Sequence, residues 1–282
     1  MTMSRGGKRW ASPEGIGLLA FLGFTLVALL GYGLYGVRPD RLPEVEAIVS
    51  FWQISFQFFA QLHIVVGALV LGIVLVRWSG VRWLPALIGV YLVAFLSEYL
   101  GTGYGVPFGN YEYTALLGWK LGDRVPWVIP LSWFLMAIPS YALARVTFPK
   151  TGSRWGRLIF AAVILTLWDV ALDPAMSYQS PYYWRWADTG PYYGMPWINL
   201  AGWLGTGVVI MAVLEKLGGV GWMSELPVAW LAGYYGATLL MPFGMLILEG
   251  LWLAVGVTVA AYAIAWAFHD WTVRRRAARG ES

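Results

Sequence analysis

Long apolar runs separated by short polar breaks dominate the chain. A bilayer crossing needs about 20 mostly apolar residues. On that measure the runs predict helices over residues 16–37, 51–76, 83–101, 125–146, 156–172, 196–214, 226–248 and 251–268. Only Glu249 and Gly250 divide the last two, so one long kinked segment is the competing reading there. The first run follows a basic segment, as a signal peptide would. It is long enough to span and lacks an obvious Ala-x-Ala cleavage site, so it reads as a retained first helix. The expected fold class is all-α: a polytopic membrane helix bundle forming a single domain over residues 1–282.

The basic residues decide between eight crossings and seven. Eight put Arg5, Lys8, Arg9, Arg77, Arg82, Arg145, Lys150, Arg154, Arg157, Lys216, Arg274, Arg275, Arg276 and Arg279 on one side. Arg38, Arg41, Lys120, Arg124 and Arg185 fall on the other. Seven would send the C-terminal arginines to the poorer side. The positive-inside rule therefore favours eight helices in the cell membrane with both termini cytoplasmic. The net charge of +4 then concerns orientation and contact with membrane lipids, the C-terminal arginines meeting anionic headgroups, and no nucleic-acid partner is expected.

Composition agrees with a membrane protein: 59% hydrophobic residues, 12% charged and mean hydropathy +0.62, against roughly 25% charged in soluble domains. There is no cysteine and there are two histidines. Thiolate chemistry is excluded, and a His- or Cys-built metal site is not expected.

Two connections, residues 102–124 and 173–195, are dense in Gly, Pro, Tyr and Trp, unlike solvated loops. They are expected to be partly re-entrant on one face of the bundle, because irregular backbone at membrane depth survives only against protein or a cavity. An interfacial aromatic belt is the plainer alternative. A weak internal repeat joins residues 83–146 and 156–214. In it Val125-Pro-Trp-Val-Ile-Pro-Leu-Ser-Trp133 aligns with Met195-Pro-Trp-Ile-Asn-Leu-Ala-Gly-Trp203, and Glu98 and Asp169 precede the aligned prolines by 28 and 27 residues. Each Pro is expected in the first helical turn, and the two acids are expected to face one cavity.

Carboxylates in hydrocarbon are costly and need a functional or pairing reason. Glu98 lies at the end of the third run, and Asp169 and Asp173 at the end of the fifth. Four residues apart, the two aspartates share a helical face, a spacing suited to holding one proton between them and so to general-acid work. The alternative has Asp173 capping a turn through Asp-Pro, and Asp169 pairing with Arg185 or a Trp N–H. His63, mid-span beside Gln57 and Gln61, reads as a buried hydrogen-bonding group. Glu249 reads as a wet turn residue, and Glu112 and Asp188 as site or surface.

No nucleotide loop, DDxxD motif or Gly-x-Ser-x-Gly elbow is present. Carboxylic acids, tyrosines and tryptophans remain. That set suits protonation of an alkene with the cation held over aromatic faces, where desolvated cation–π contacts are worth about 2 kcal/mol or more, and it asks for no cofactor. The competing classes are an end-group cyclase or isomerase, which quenches the same cation without water, and a non-enzymatic lipid or pigment transporter.

Residues 83–203 resemble the membrane carotenoid-biosynthesis hydratases, the group of the carotenoid 1',2'-hydratases and bisanhydrobacterioruberin hydratases. The resemblance rests on Gly-x-Pro-Phe-Gly-x-Tyr-x-Tyr at 105–113, Asp-x3-Asp-Pro at 169–174, Trp-x-Trp at 184–186, Gly-x-Pro at 194–196 and Asn-x3-Trp at 199–203. It implies a hydro-lyase adding water across the terminal double bond of an acyclic carotenoid end taken from the bilayer. The catalytic acids expected are Asp169, Asp173 and Glu98, their order of roles open. Tyr111, Tyr113, Trp133, Trp184, Trp186, Tyr193, Asn199 and Trp203 are expected to bind substrate, Asn199 helping a second carboxylate to orient water.

Overall fold

The computed structural model describes residues 12–219 and 221–280; Arg5, Lys8 and Arg9 of the charge count lie outside the described residues. Within them, eight helices are long and apolar enough to cross a membrane. They are α1 (Pro13–Gly31), α2 (Glu46–Ser79), α3 (Leu84–Tyr104), α4 (Val128–Thr147), α5 (Arg154–Ser177), α6 (Trp197–Leu214), α7 (Val228–Leu248) and α8 (Trp252–Ala278). The expected all-α polytopic bundle is formed.

The last two runs are separate helices. The Gly250 amide bonds back to Ile247 and the Leu251 amide to Leu246, with Gly250 at φ 72. This is the Schellman arrangement, which satisfies the last carbonyls of α7 and needs a residue tolerant of positive φ.

α4 and α5 form the enclosed centre. α3 and α6 flank it on one side, α1, α2 and α7 on the other, and α8 lies outside α5 with most of its length exposed. One end of the bundle is tied by ion pairs. Glu215 takes Arg154 at 2.7 Å and Arg157 at 2.9 Å together with the Tyr141 hydroxyl at 2.9 Å.

The two aromatic connections cover the opposite end, and there the structure departs from a purely helical reading. Short strands β1 (Tyr111–Tyr113) and β4 (Trp184–Trp186) pair antiparallel, Tyr111 opposite Trp186 and Tyr113 opposite Trp184. β2 (Lys120–Leu121) and β3 (Val125–Pro126) make a second small pair. The prolines of the two Pro-Trp steps stand outside the first turn. Pro126 pairs in β3 and Trp127 caps α4, while Pro196 is itself the extended N-cap of α6. A missing N–H costs nothing in either place.

α5 also runs further than its apolar run implies, through Asp173-Pro174 to Ser177, so Asp173 is a helical residue and not a turn cap. Proline at 174 has no N–H for the carbonyl of Val170. The Tyr192 hydroxyl donates to that carbonyl at 2.9 Å instead.

Candidate active site

Helical spacing and strand alternation aim one set of side chains at one point. Asp169 and Asp173 project from one face of α5 as residues four apart do; Asn199 and Trp203 project likewise from α6. Alternation along β1 and β4 turns Tyr111, Tyr113, Trp184 and Trp186 inward and leaves Glu112 and Arg185 exposed opposite each other. α3 contributes Glu98 and α4 contributes Trp133. Close approach seats the first connection: a β-carbon on Gly202 would lie 2.6 Å from the Pro107 carbonyl and 2.8 Å from the Phe108 ring.

The three acids are 3%, 1% and 1% exposed for Glu98, Asp169 and Asp173, and they line one cavity of about 40 Å³. That is room for a water-sized group. None of the five ion pairs among the described residues includes them; their partners are neutral donors. Glu98 Oε1 accepts from Trp133 Nε1 at 2.9 Å, and Oε2 accepts from the hydroxyls of Tyr113 at 2.8 Å and of Tyr111. Asp173 Oδ1 accepts from Trp186 Nε1 at 3.1 Å and Ser177 Oγ at 2.9 Å, and Oδ2 accepts from Trp184 Nε1 at 3.1 Å. Burial, followed by the adjacent Glu98 carboxylate, pushes the Tyr111 and Tyr113 phenols well above their ordinary pKa. They remain donors across the working pH range.

Asp169 differs. Its Oδ2 accepts from Asn199 Nδ2 at 2.8 Å, while Oδ1 has no partner and is not among the enclosed unpaired polar atoms. Asp169 lines the small cavity. The pairing with Arg185 is not formed: that guanidinium lies over the Tyr182 ring at 5.1 Å.

Aromatic faces close the cavity. Trp133 and Trp203 stack with centroids 4.1 Å apart at 22°, and Tyr111 meets Trp186 at 5.1 Å. Of the residues expected from sequence, Glu98, Asp169, Asp173, Tyr111, Tyr113, Trp133, Trp184, Trp186, Asn199 and Trp203 all line this cavity. Tyr193 does not. Its hydroxyl accepts from the Ala254 amide at 3.3 Å, and its ring packs on Tyr178 and Tyr192. Glu112 and Asp188 stay at the surface, the latter accepting from Asn110 Nδ2 at 2.9 Å. Sequence reasoning passed over Phe108, Ile129, Ser132, Trp168 and Leu172. Trp168 and Leu172 had a usable signal, flanking the two aspartates on the same helix.

A second cavity of about 440 Å³ adjoins the first, with Ile129, Ser132, Trp168, Leu172 and Trp184 lining both. It is almost wholly apolar, lies between α1, α2, α4, α5 and α7, and reaches the exposed side chains of Tyr35, Ile48 and Phe51. Its size is within the range of ligand pockets. Among the described residues no three of His, Asp and Glu are grouped as a metal ion would require.

Comparison with known proteins gives two matches. The family described as carotenoid biosynthesis protein matches residues 59–265. The bisanhydrobacterioruberin hydratase of Haloarcula japonica is 27% identical over 175 residues, which is 62% of this chain and 56% of the relative. The chain thus spans little more than half the length of that relative. No solved structure matches. With more than half of its length covered by the family match, the chain belongs to the carotenoid biosynthesis protein family.

Proposed function

We propose that the protein hydrates the terminal C1'=C2' double bond of an acyclic carotenoid end, giving a tertiary alcohol without a cofactor. One observation carries the reading: three ion-pair-free carboxyl groups line a water-sized cavity that shares a wall with a large apolar one. The polyene chain lies in the apolar cavity, and its end meets the acids at the shared wall. Asp169, whose Oδ1 has no protein partner, gives its proton to C2'. The positive charge left on C1' sits among the tryptophan and tyrosine faces and the carboxylates of Glu98 and Asp173. Such fixed, desolvated groups are commonly the largest catalytic contribution. Water adds at C1'. A second carboxylate, Asp173 or Glu98, takes its proton and passes it back to Asp169, so one water is consumed and the acids are restored. Asn199, held on Asp169, orients the water.

The hydratase activity of the Haloarcula japonica relative supports the same reaction class. The charge distribution supports an orientation in which the end carrying Glu215, Arg154 and Arg157 is cytoplasmic and the acid cavity lies toward the other face of the cell membrane. Co-expression in a host making acyclic carotenes tests the function. The expected product is heavier than its precursor by one water. An isomer of equal mass would mean cyclase or isomerase chemistry, and unchanged pigment would point to binding or transport.

A further inference from the structure

We propose that His63 reads a hydroxyl group carried by the chain in the large cavity, away from the reacting end. The inference rests on that cavity being the seat of the polyene. His63 stands near the middle of α2 and lines the apolar cavity, which the acid cavity joins elsewhere in its wall. The Thr25 hydroxyl donates to the carbonyl of Phe21 at 2.9 Å, so its single proton is committed. The 3.2 Å contact between Thr25 Oγ1 and His63 Nε2 is then made by a proton on Nε2. A neutral ring that carries its proton on Nε2 has a bare acceptor at Nδ1. The Phe21 ring at 4.7 Å holds the imidazole in place.

Nδ1 has no hydrogen bond and is not fully enclosed, on a side chain that lines the cavity. Five of the six other hydroxyl protons in the wall are occupied, Tyr183 donating to Phe56 O at 3.3 Å and Tyr35 having no partner. Tyr32 donates to Glu249 at 2.6 Å, Ser55 to Trp52 O at 2.7 Å, Ser132 to Ile129 O at 2.8 Å and Thr238 to Tyr235 O at 2.7 Å. A hydrocarbon lying there leaves Nδ1 desolvated and unpaired. A hydroxyl satisfies it; a carbonyl, which brings no proton, does not. A site with a buried hydrogen-bonding group discriminates against the analogue that lacks the partner.

The test uses the full chain in detergent with acyclic polyenes bearing one hydroxyl at different carbons, and their hydrocarbon parent. Affinity is read by quenching of tryptophan fluorescence, and turnover is followed in parallel. The wild type is expected to bind at least one hydroxylated member about tenfold tighter than the parent. His63→Leu should bring that ratio to about one. His63→Gln, which keeps an acceptor and a donor for Thr25, should retain most of it. Equal affinities across the wild-type panel, or an unchanged ratio in His63→Leu, would overturn the inference. If the wild type turns over no member, the hydration reading fails, and the affinity ratios still decide the role of His63.

Discussion

Asp169 and its neighbours carry the chemistry unequally. Six donors hold the oxygens of Glu98 and Asp173, whereas Asp169 has one. General acids contribute about 10²- to 10⁴-fold, so Asp169→Asn is expected to lose that much hydration rate while still folding. Tyr111→Phe removes one of three donors from Glu98. A hydrogen bond to a charged group is worth about 1.5–3 kcal/mol, so the rate should fall roughly tenfold to a hundredfold with the double bond still bound. Wild-type rates in Tyr111→Phe would show that the Glu98 cluster is remote from the reaction.

Glu249 is not the wet turn residue expected. Tyr32 donates to its Oε1 at 2.6 Å, and its Oε2 is enclosed without a partner. Burial pushes its carboxyl up to about 7 from an ordinary 4.5, the Tyr32 hydrogen bond working against the rise. Between those values the unfolded chain has released a proton that the folded chain retains. Stability should therefore fall as pH rises from about 4.5 to 7 and level off above. Melting curves in detergent should lose that slope in Glu249→Gln; an identical slope in the variant would contradict the assignment.

At the scale of elements, the helices were legible because about 20 apolar residues leave few other structures in a bilayer. The boundaries of α5 were not. By hydropathy the run ends at Leu172, where Asp173 and Pro174 break it, whereas in the fold the helix continues and the Tyr192 hydroxyl takes the Val170 carbonyl that Pro174 leaves without an amide. Tyr192→Phe should strip Val170 of that donor and destabilise the protein by about 1–3 kcal/mol, measurable as a lowered melting temperature; no change would mean the turn around Pro174 supports itself. β1 and β4 were also passed over, although Tyr-Glu-Tyr and Trp-Arg-Trp carry the two-residue alternation of strands. Three-residue strands are too short for that pattern to stand out in an aromatic-rich chain. The aligned tryptophans of the two Pro-Trp segments, Trp133 and Trp203, are the stacked pair at the site. We propose that the two halves are related by an axis along the membrane normal, as parallel repeats are.

For the whole molecule, family resemblance and spacing found most of the acid cavity, and Tyr193 was the exception. It shares the aromatic connection with Trp184 and Trp186, but positive φ at Tyr193 (53°) turns it toward α8. The large apolar cavity was invisible in sequence, since its lining residues are indistinguishable from lipid-facing ones until the helices pack. A chain without cysteine allows a clean check of orientation. With the acid cavity toward the non-cytoplasmic face, Thr189→Cys should react with an impermeant maleimide on intact cells, and Thr151→Cys only after permeabilisation. The reverse pattern would invert the proposed topology.

Hydration through Asp169 requires that water add to a carbon cation which this acid generates. Mass spectrometry of carotenoids formed by membranes in ¹⁸O-labelled water tests it most directly. One labelled hydroxyl oxygen per hydrated end is expected in the wild type, and loss of the labelled product in Asp169→Asn. An unlabelled product, or equal labelling in the Asp169→Asn variant, would contradict it.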